Sequence, residues 1–185
     1  NGFNLNHRCI RKFIYHNPKE ITGKGKDDDG NGFVDDVSGW DIADQDNNVS
    51  IPEGREEFFY HGTMIAGAIT QVAERCFGEN ASSLINIVPV KVLADQALKS
   101  NYELGYDGID YAIRSNVDII VCAWSGGRYD EEKYGRIFEE ARKKGILILG
   151  SAGNFFSEQC DPPSSIASVY VVSAVDSNFH KLKLA

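Results

Sequence analysis

The chain has 185 residues and a formal net charge of −8, with 42% hydrophobic and 25% charged residues, enough to bury the core of a single domain spanning 1–185. No apolar run approaches the roughly 18 residues of a membrane span, the first eight residues lack the apolar segment of a signal peptide, and the acidic balance excludes the basic face of general nucleic-acid binding. Cys9, Cys76, Cys122 and Cys160 contain no C-x-x-C pair, which excludes a zinc-finger arrangement.

Residues 1–26 show no period, are locally basic and read as irregular surface chain, with Asn1-Gly2 a flexible end. Next comes Asp27-Asp28-Asp29-Gly30-Asn31-Gly32-Phe33-Val34-Asp35-Asp36. So many carboxylates repel one another unless they are solvated or neutralised. Asp27, Asp29, Asn31 and Gly32 match the first half of a D-x-[DN]-x-[DN]-G calcium loop, and Asp35 falls at its ninth position. Ser38 stands at the twelfth, where an EF-hand needs a bidentate glutamate, so an EF-hand is rejected. A structural calcium ion on Asp27, Asp29, Asn31 and Asp35 and a solvated acidic turn both stay open, with Asp44 and Asp46 as weaker candidates.

Residues 42–60 are polar and loop-like up to Phe58-Phe59-Tyr60, which run into His61. The stretch His61-Gly62-Thr63-Met64-Ile65-Ala66-Gly67-Ala68-Ile69 predicts a helix opening on a histidine, with Gly62, Ala66 and Gly67 leaving room for another backbone. Each helical glycine costs about 1 kcal/mol relative to alanine, so the pattern asks for a reason. On the first turn, the helix macrodipole also disfavours the imidazolium and keeps the ring basic and neutral. Residues 71–83 read as a connection and 85–93 as a buried strand, with Pro89 at its beginning or at an unpaired position.

The spacing of Leu104, Ile109, Ala112 and Ile113 predicts a helix over 102–115, stopped at Asn116. Residues 117–124 are near-continuously apolar, as in a strand covered on both faces, and place Cys122 as a buried thiol. Tyr134, Ile137, Phe138 and Ala141 predict a helix over 129–144 with Gly145 as its C-cap. Residues 146–150 and 168–175 read as further strands. Strands alternating with helices predict an α/β fold, a doubly wound, mostly parallel sheet with helices on both faces, whose chemistry gathers at the carboxyl ends of the strands. Ser125-Gly126-Gly127 and Ser151-Ala152-Gly153-Asn154 both stand there; each could also be a plain turn.

The His61 stretch resembles the H-G-T-x-x-A-G-x-I signature of subtilisin-like serine proteases. The likeness runs from about Asn1 to Ser173, through Gly39-Trp40-Asp41, Val90-Lys91-Val92-Leu93, Ser125-Gly126-Gly127 and Ala152-Gly153-Asn154. It implies a subtilisin-like fold and peptide-bond hydrolysis through an acyl-enzyme. His61 would be the general base, Asn154 the oxyanion donor, and Ser125, Gly126 and Gly127 the segment lying along the substrate, with Gly126 where leucine is usual. It also implies peptide or protein substrates, a propeptide, structural calcium in several members, and a secreted or periplasmic parent.

The resemblance implies an incomplete domain. The family's catalytic aspartate would immediately precede Asn1, on a strand that is absent, and its nucleophile lies in a G-T-S-M-A-x-P motif that no serine here matches. Ser151 stands at a strand end before Asn154 and is rejected as nucleophile. The 185-residue chain is thus expected to be inactive, and to compensate for the absent strand by rearranging or by pairing with another copy. Two readings stay open for the parent: an active serine endopeptidase, or a degenerate domain that binds peptides or a partner without cleaving them.

Overall fold

The computed structural model describes residues 1–99, 101–154 and 159–180. They fall into two compact units, Asn1–Ser100 and Asn101–Ala185. Each has its own parallel sheet, in an α/β fold of the doubly wound class.

In the first unit, β1 (Trp40–Asp41) pairs in parallel with β2 (Val90–Lys91). The longer strand expected over 85–93 is cut short at Pro89, which has no N–H for a ladder. Upstream of it only Ile87 pairs, in an isolated parallel bridge to Ile14. Helix α1 (Glu56–Phe59) occupies the end of the expected loop and is separated by Tyr60 alone from α2 (His61–Phe77). Helix α2 extends into the expected 71–83 connection and is followed by a 3-10 turn and α3 (Ala81–Leu84). It persists because Ala73 is buried beside Phe13 and Ala81.

Residues 1–26 are irregular, as expected, and 21–26 are exposed, but the segment is not surface chain throughout. Ile10 and Phe13 are fully buried. Ile10 and Ile14 pack on Ala66 of α2, and the turns His7–Phe13 that bring them there are closed by Ile10 N–H to the His7 carbonyl at 3.0 Å and Phe13 N–H to the Ile10 carbonyl at 2.8 Å. A segment without a period can supply a core when tight turns, rather than a helix or strand, aim its apolar side chains.

In the second unit, β3 (Ile119–Cys122), β4 (Leu147–Ser151) and β5 (Val169–Val172) form a parallel sheet in that order. Helices α4 (Leu104–Arg114) and α5 (Glu131–Lys144) pack with it around Tyr106, Ile113, Ile120, Tyr134, Phe138 and Ile148. The predicted stripe of α5 is the buried one. Its ends are capped by the Asp130 side chain, which accepts from the Lys133 N–H at 3.1 Å, and by Gly145 at φ +74°. Cover on both faces of β3 is not found among the described residues. Ile120 and Cys122 are buried, whereas Ile119 and Val121 are exposed, because side chains alternate faces along a strand. Cys122 is the expected buried thiol, its pKa pushed up to about 12 by burial, and all four cysteines are free.

Candidate active-site residues and acidic loop

His61 is the first residue of α2 and is half-buried. Tyr60 keeps helical dihedrals (φ −65°, ψ −23°), so α1 passes into α2 without an extended residue between them. A side chain at Gly62 would place its Cβ 2.7 Å from the Gly2 carbonyl oxygen and 3.1 Å from that of Asn1. The first turn of the helix thus lies against the Asn1-Gly2 backbone, the close approach expected of its small residues. Gly67 does not share this role, since a Cβ there would meet nothing within 4 Å. Asn1-Gly2 is no loose end: Asn1 Nδ2 donates to the Phe58 carbonyl at 3.0 Å, and the Asn4 N–H donates to Thr63 Oγ1 at 2.8 Å.

Burial holds the His61 imidazole below its ordinary pKa. A ring in this state is neutral near pH 7 and able to accept a proton.

The second unit holds the predicted oxyanion and substrate-segment residues. Ser125, Gly126 and Gly127 follow β3, and Gly126 (φ +114°) and Gly127 (φ +81°) turn the chain through conformations that side chains rarely adopt. The Gly126 N–H donates to the Pro162 carbonyl at 2.9 Å. A Cβ at Gly153 would lie 3.3 Å from Ser125 Oγ, so the segment after β3 meets the turn after β4 that carries Asn154. The Asn154 side chain is exposed, and residues 155–158 lie outside the described ones. Ser151 Oγ accepts from the Gly153 N–H at 3.1 Å, the bond of a turn former. Two aromatic residues beside this segment escaped the sequence reading. Tyr102 stacks on Trp124 with ring centroids 6.2 Å apart, and a Cβ at Gly127 would lie 2.7 Å from that of Tyr102. The available signal was Gly105 inside a helix, where a Cβ would come within 2.3 Å of the Trp124 ring.

The acidic loop is organised by its own carboxylates. Asp27 accepts from the N–H groups of Gly30, Asn31 and Gly32 at 2.6–3.2 Å. These bonds, that from Gly32 first, hold its pKa below the ordinary carboxylate value. Glu20, which the sequence reading did not select, is buried to 7% exposure. Its Oε1 accepts from the Asp28 and Asp29 N–H groups at 3.0 and 3.1 Å, while its Oε2 has no partner. Glu20, Asp27 and Asp29 each bring a carboxylate oxygen within 4.8 Å of the others. Asn31 Oδ1 accepts from the Phe33 N–H at 2.8 Å, and Asp35 accepts from the Lys24 and Gly25 N–H groups. A second acidic set, Asp41, Asp44 and Asp95, surrounds the fully buried ammonium of Lys91, which bonds to Asp41 and Asp95. Burial opposes that charge, but the two carboxylates outweigh it and raise the Lys91 pKa.

A family model described as "Subtilase family" matches residues 1–182. Among curated proteins, "Subtilisin-like protease 1" of Plasmodium falciparum (isolate 3D7) is 33% identical over 175 residues, covering 89% of this chain and 22% of that protein. "Subtilisin-like protease 1" of Plasmodium berghei (strain Anka) is 31% identical over 179 residues, covering 91% and 26%. "Major intracellular serine protease" of Bacillus subtilis (strain 168) is 30% identical over 125 residues, covering 68% and 35%. The chain thus spans about a quarter of the Plasmodium proteins' length. Among solved structures, the protease domain of PatA (S218A mutant) matches at a TM-score of 0.46 and 21% identity over 51% of this chain and 36% of that one. The prenylagaramide maturation protease PagA matches at 0.46 and 23% over 59% and 43%.

Proposed function

The chain belongs to the subtilase family, and on that premise we propose that its parent protein is a serine endopeptidase acting on peptide bonds through an acyl-enzyme. The carrying observation is His61: a half-buried imidazole on the first turn of a helix pressed against the Asn1-Gly2 backbone. In this reading His61 takes the proton from an attacking serine and returns it to the leaving amine. Asn154 donates its amide to the oxyanion of the tetrahedral intermediate. Ser125, Gly126 and Gly127 offer backbone groups to the substrate, with Tyr102 and Trp124 beside them.

Fluorophosphonate labelling of the full-length parent, with the modified residue located by mass spectrometry, tests the proposal. One labelled serine, lost in His61→Ala, is the expected result. No labelling of a folded parent freed of any propeptide would favour the peptide-binding alternative. The 185-residue chain alone is expected to leave peptide substrates uncut; cleavage by a purified sample that disappears in His61→Ala would contradict this. Family membership does not fix a compartment, since one relative is described as intracellular.

A structural calcium ion in the acidic loop belongs to the same reading. The donor set suits a hard divalent cation that takes only oxygen ligands: three carboxylates converge there, and one carries the unpartnered buried Oε2 of Glu20. Glu20, Asp27 and Asp29 would hold the ion, which would offset their mutual repulsion. Calcium is expected to raise the thermal midpoint of the chain, and Glu20→Gln to remove most of that rise. A midpoint indifferent to calcium would leave the loop a solvated turn.

A further inference from the structure

The segment entering α2 is held in an unusual way. Phe59, two residues before His61, is fully buried. The Arg55 guanidinium lies 5.1 Å from the centre of its ring, and the Lys91 ammonium lies 5.7 Å from it. Neither cation is free to move. Arg55 donates to the Asp95 carbonyl and, at 2.5 Å, to the Ala97 carbonyl, and it also lies 5.1 Å from the Phe58 ring. Lys91 is fixed by Asp41 and Asp95, with Asp44 at 3.7 Å.

A buried ammonium is costly unless paired. Here its partners also fix the direction from which it meets the Phe59 ring. An aromatic face attracts cations electrostatically, and more strongly when desolvated, and the planar guanidinium of Arg55 is suited to stack on a ring while its fork donates to carbonyls. The residue after Phe59 is already helical, so little slack separates this anchor from His61.

We infer that Phe59, held by the cations of Arg55 and Lys91, is a positioning residue that fixes the His61 imidazole at the start of α2. The inference rests on the reading of His61 as the general base. Its test needs no turnover, so the two can fail separately.

The test uses the 185-residue chain. In Phe59→Leu, which keeps apolar bulk but removes the aromatic face, amide exchange at 61–64 is expected to rise about tenfold or more, as local opening becomes cheaper. The His61 ring, followed by NMR, is expected to titrate closer to the ordinary histidine value. Amides of the α5 segment serve as the internal reference and should exchange as before. A role confined to filling the core would instead lower the melting temperature and leave both His61 readouts of the folded protein unchanged; that result would overturn the inference. Should Phe59→Leu fail to fold, Arg55→Met removes one of the two cations at a part-exposed position. The same two shifts would support the inference, and their absence would refute it.

Discussion

Two glycines five residues apart in α2 obey opposite constraints. At Gly62 an added Cβ would meet backbone oxygen at 2.7 Å, and backbone cannot swing aside like a side chain. Gly62→Ala is therefore expected to destabilise the chain by about 1–3 kcal/mol, despite its gain in helix propensity. At Gly67 a Cβ meets open space, so Gly67→Ala should keep that gain and stabilise by up to about 1 kcal/mol. Urea unfolding of the two variants measures both signs. His61 adds a pH dependence. Its pKa is depressed in the folded state, so between that value and the ordinary one near 6.5 the unfolded chain binds a proton that the folded chain refuses. The contribution is complete above the unfolded value and is lost as the pH falls towards the folded one. Urea midpoints at about pH 7.5 and 5.5 should therefore differ, and His61→Gln should reduce the difference.

The elements show how much local rules deliver. Helix α5 was legible almost whole, because its apolar stripe and its Gly145 stop are local in sequence. Gly145→Ala places a Cβ at φ +74° and is expected to cost about 1 kcal/mol. The three strands of the second unit were legible in position but not in environment. An apolar run cannot say which of its faces will be covered, and in β3 the buried Ile120 alternates with the exposed Val121. Ile120→Ala is thus expected to cost about 2–5 kcal/mol, whereas Val121→Lys should change stability by no more than about 0.5 kcal/mol. If copies of the chain associate through the exposed face that Val121 shares with Tyr170 and Val172, Val121→Lys should also lower the apparent mass in light scattering at high concentration. An unchanged mass would leave that face without a role in association.

At the scale of the whole molecule, each compact unit carries one tryptophan, Trp40 in the first and Trp124 in the second. Fluorescence of single-tryptophan variants therefore follows each unit by itself. Phe13→Ala, at a fully buried position, is expected to lower the stability reported by Trp40 by about 3–5 kcal/mol, and Phe138→Ala that reported by Trp124 by a similar amount. A loss far below this range would mean that the surrounding core collapses into the cavity.

The sequence by itself determined the α/β class, the helix that opens on His61, the capped α5, and the motifs through which the chain belongs to the subtilases. All of these depend on residue identity over short spans, through periodicity, caps, turns and signatures. Only the tertiary structure decided that the aperiodic segment 1–26 supplies Ile10 and Phe13 to a core, that Gly62 rather than Gly67 meets another backbone, and that Glu20 joins Asp27 and Asp29. It also decided that Phe59 meets two cations drawn from 55 and 91. Each of these is a meeting of residues remote in sequence or a choice of face. No local pattern encodes such a meeting, because the chain's path through space sets it.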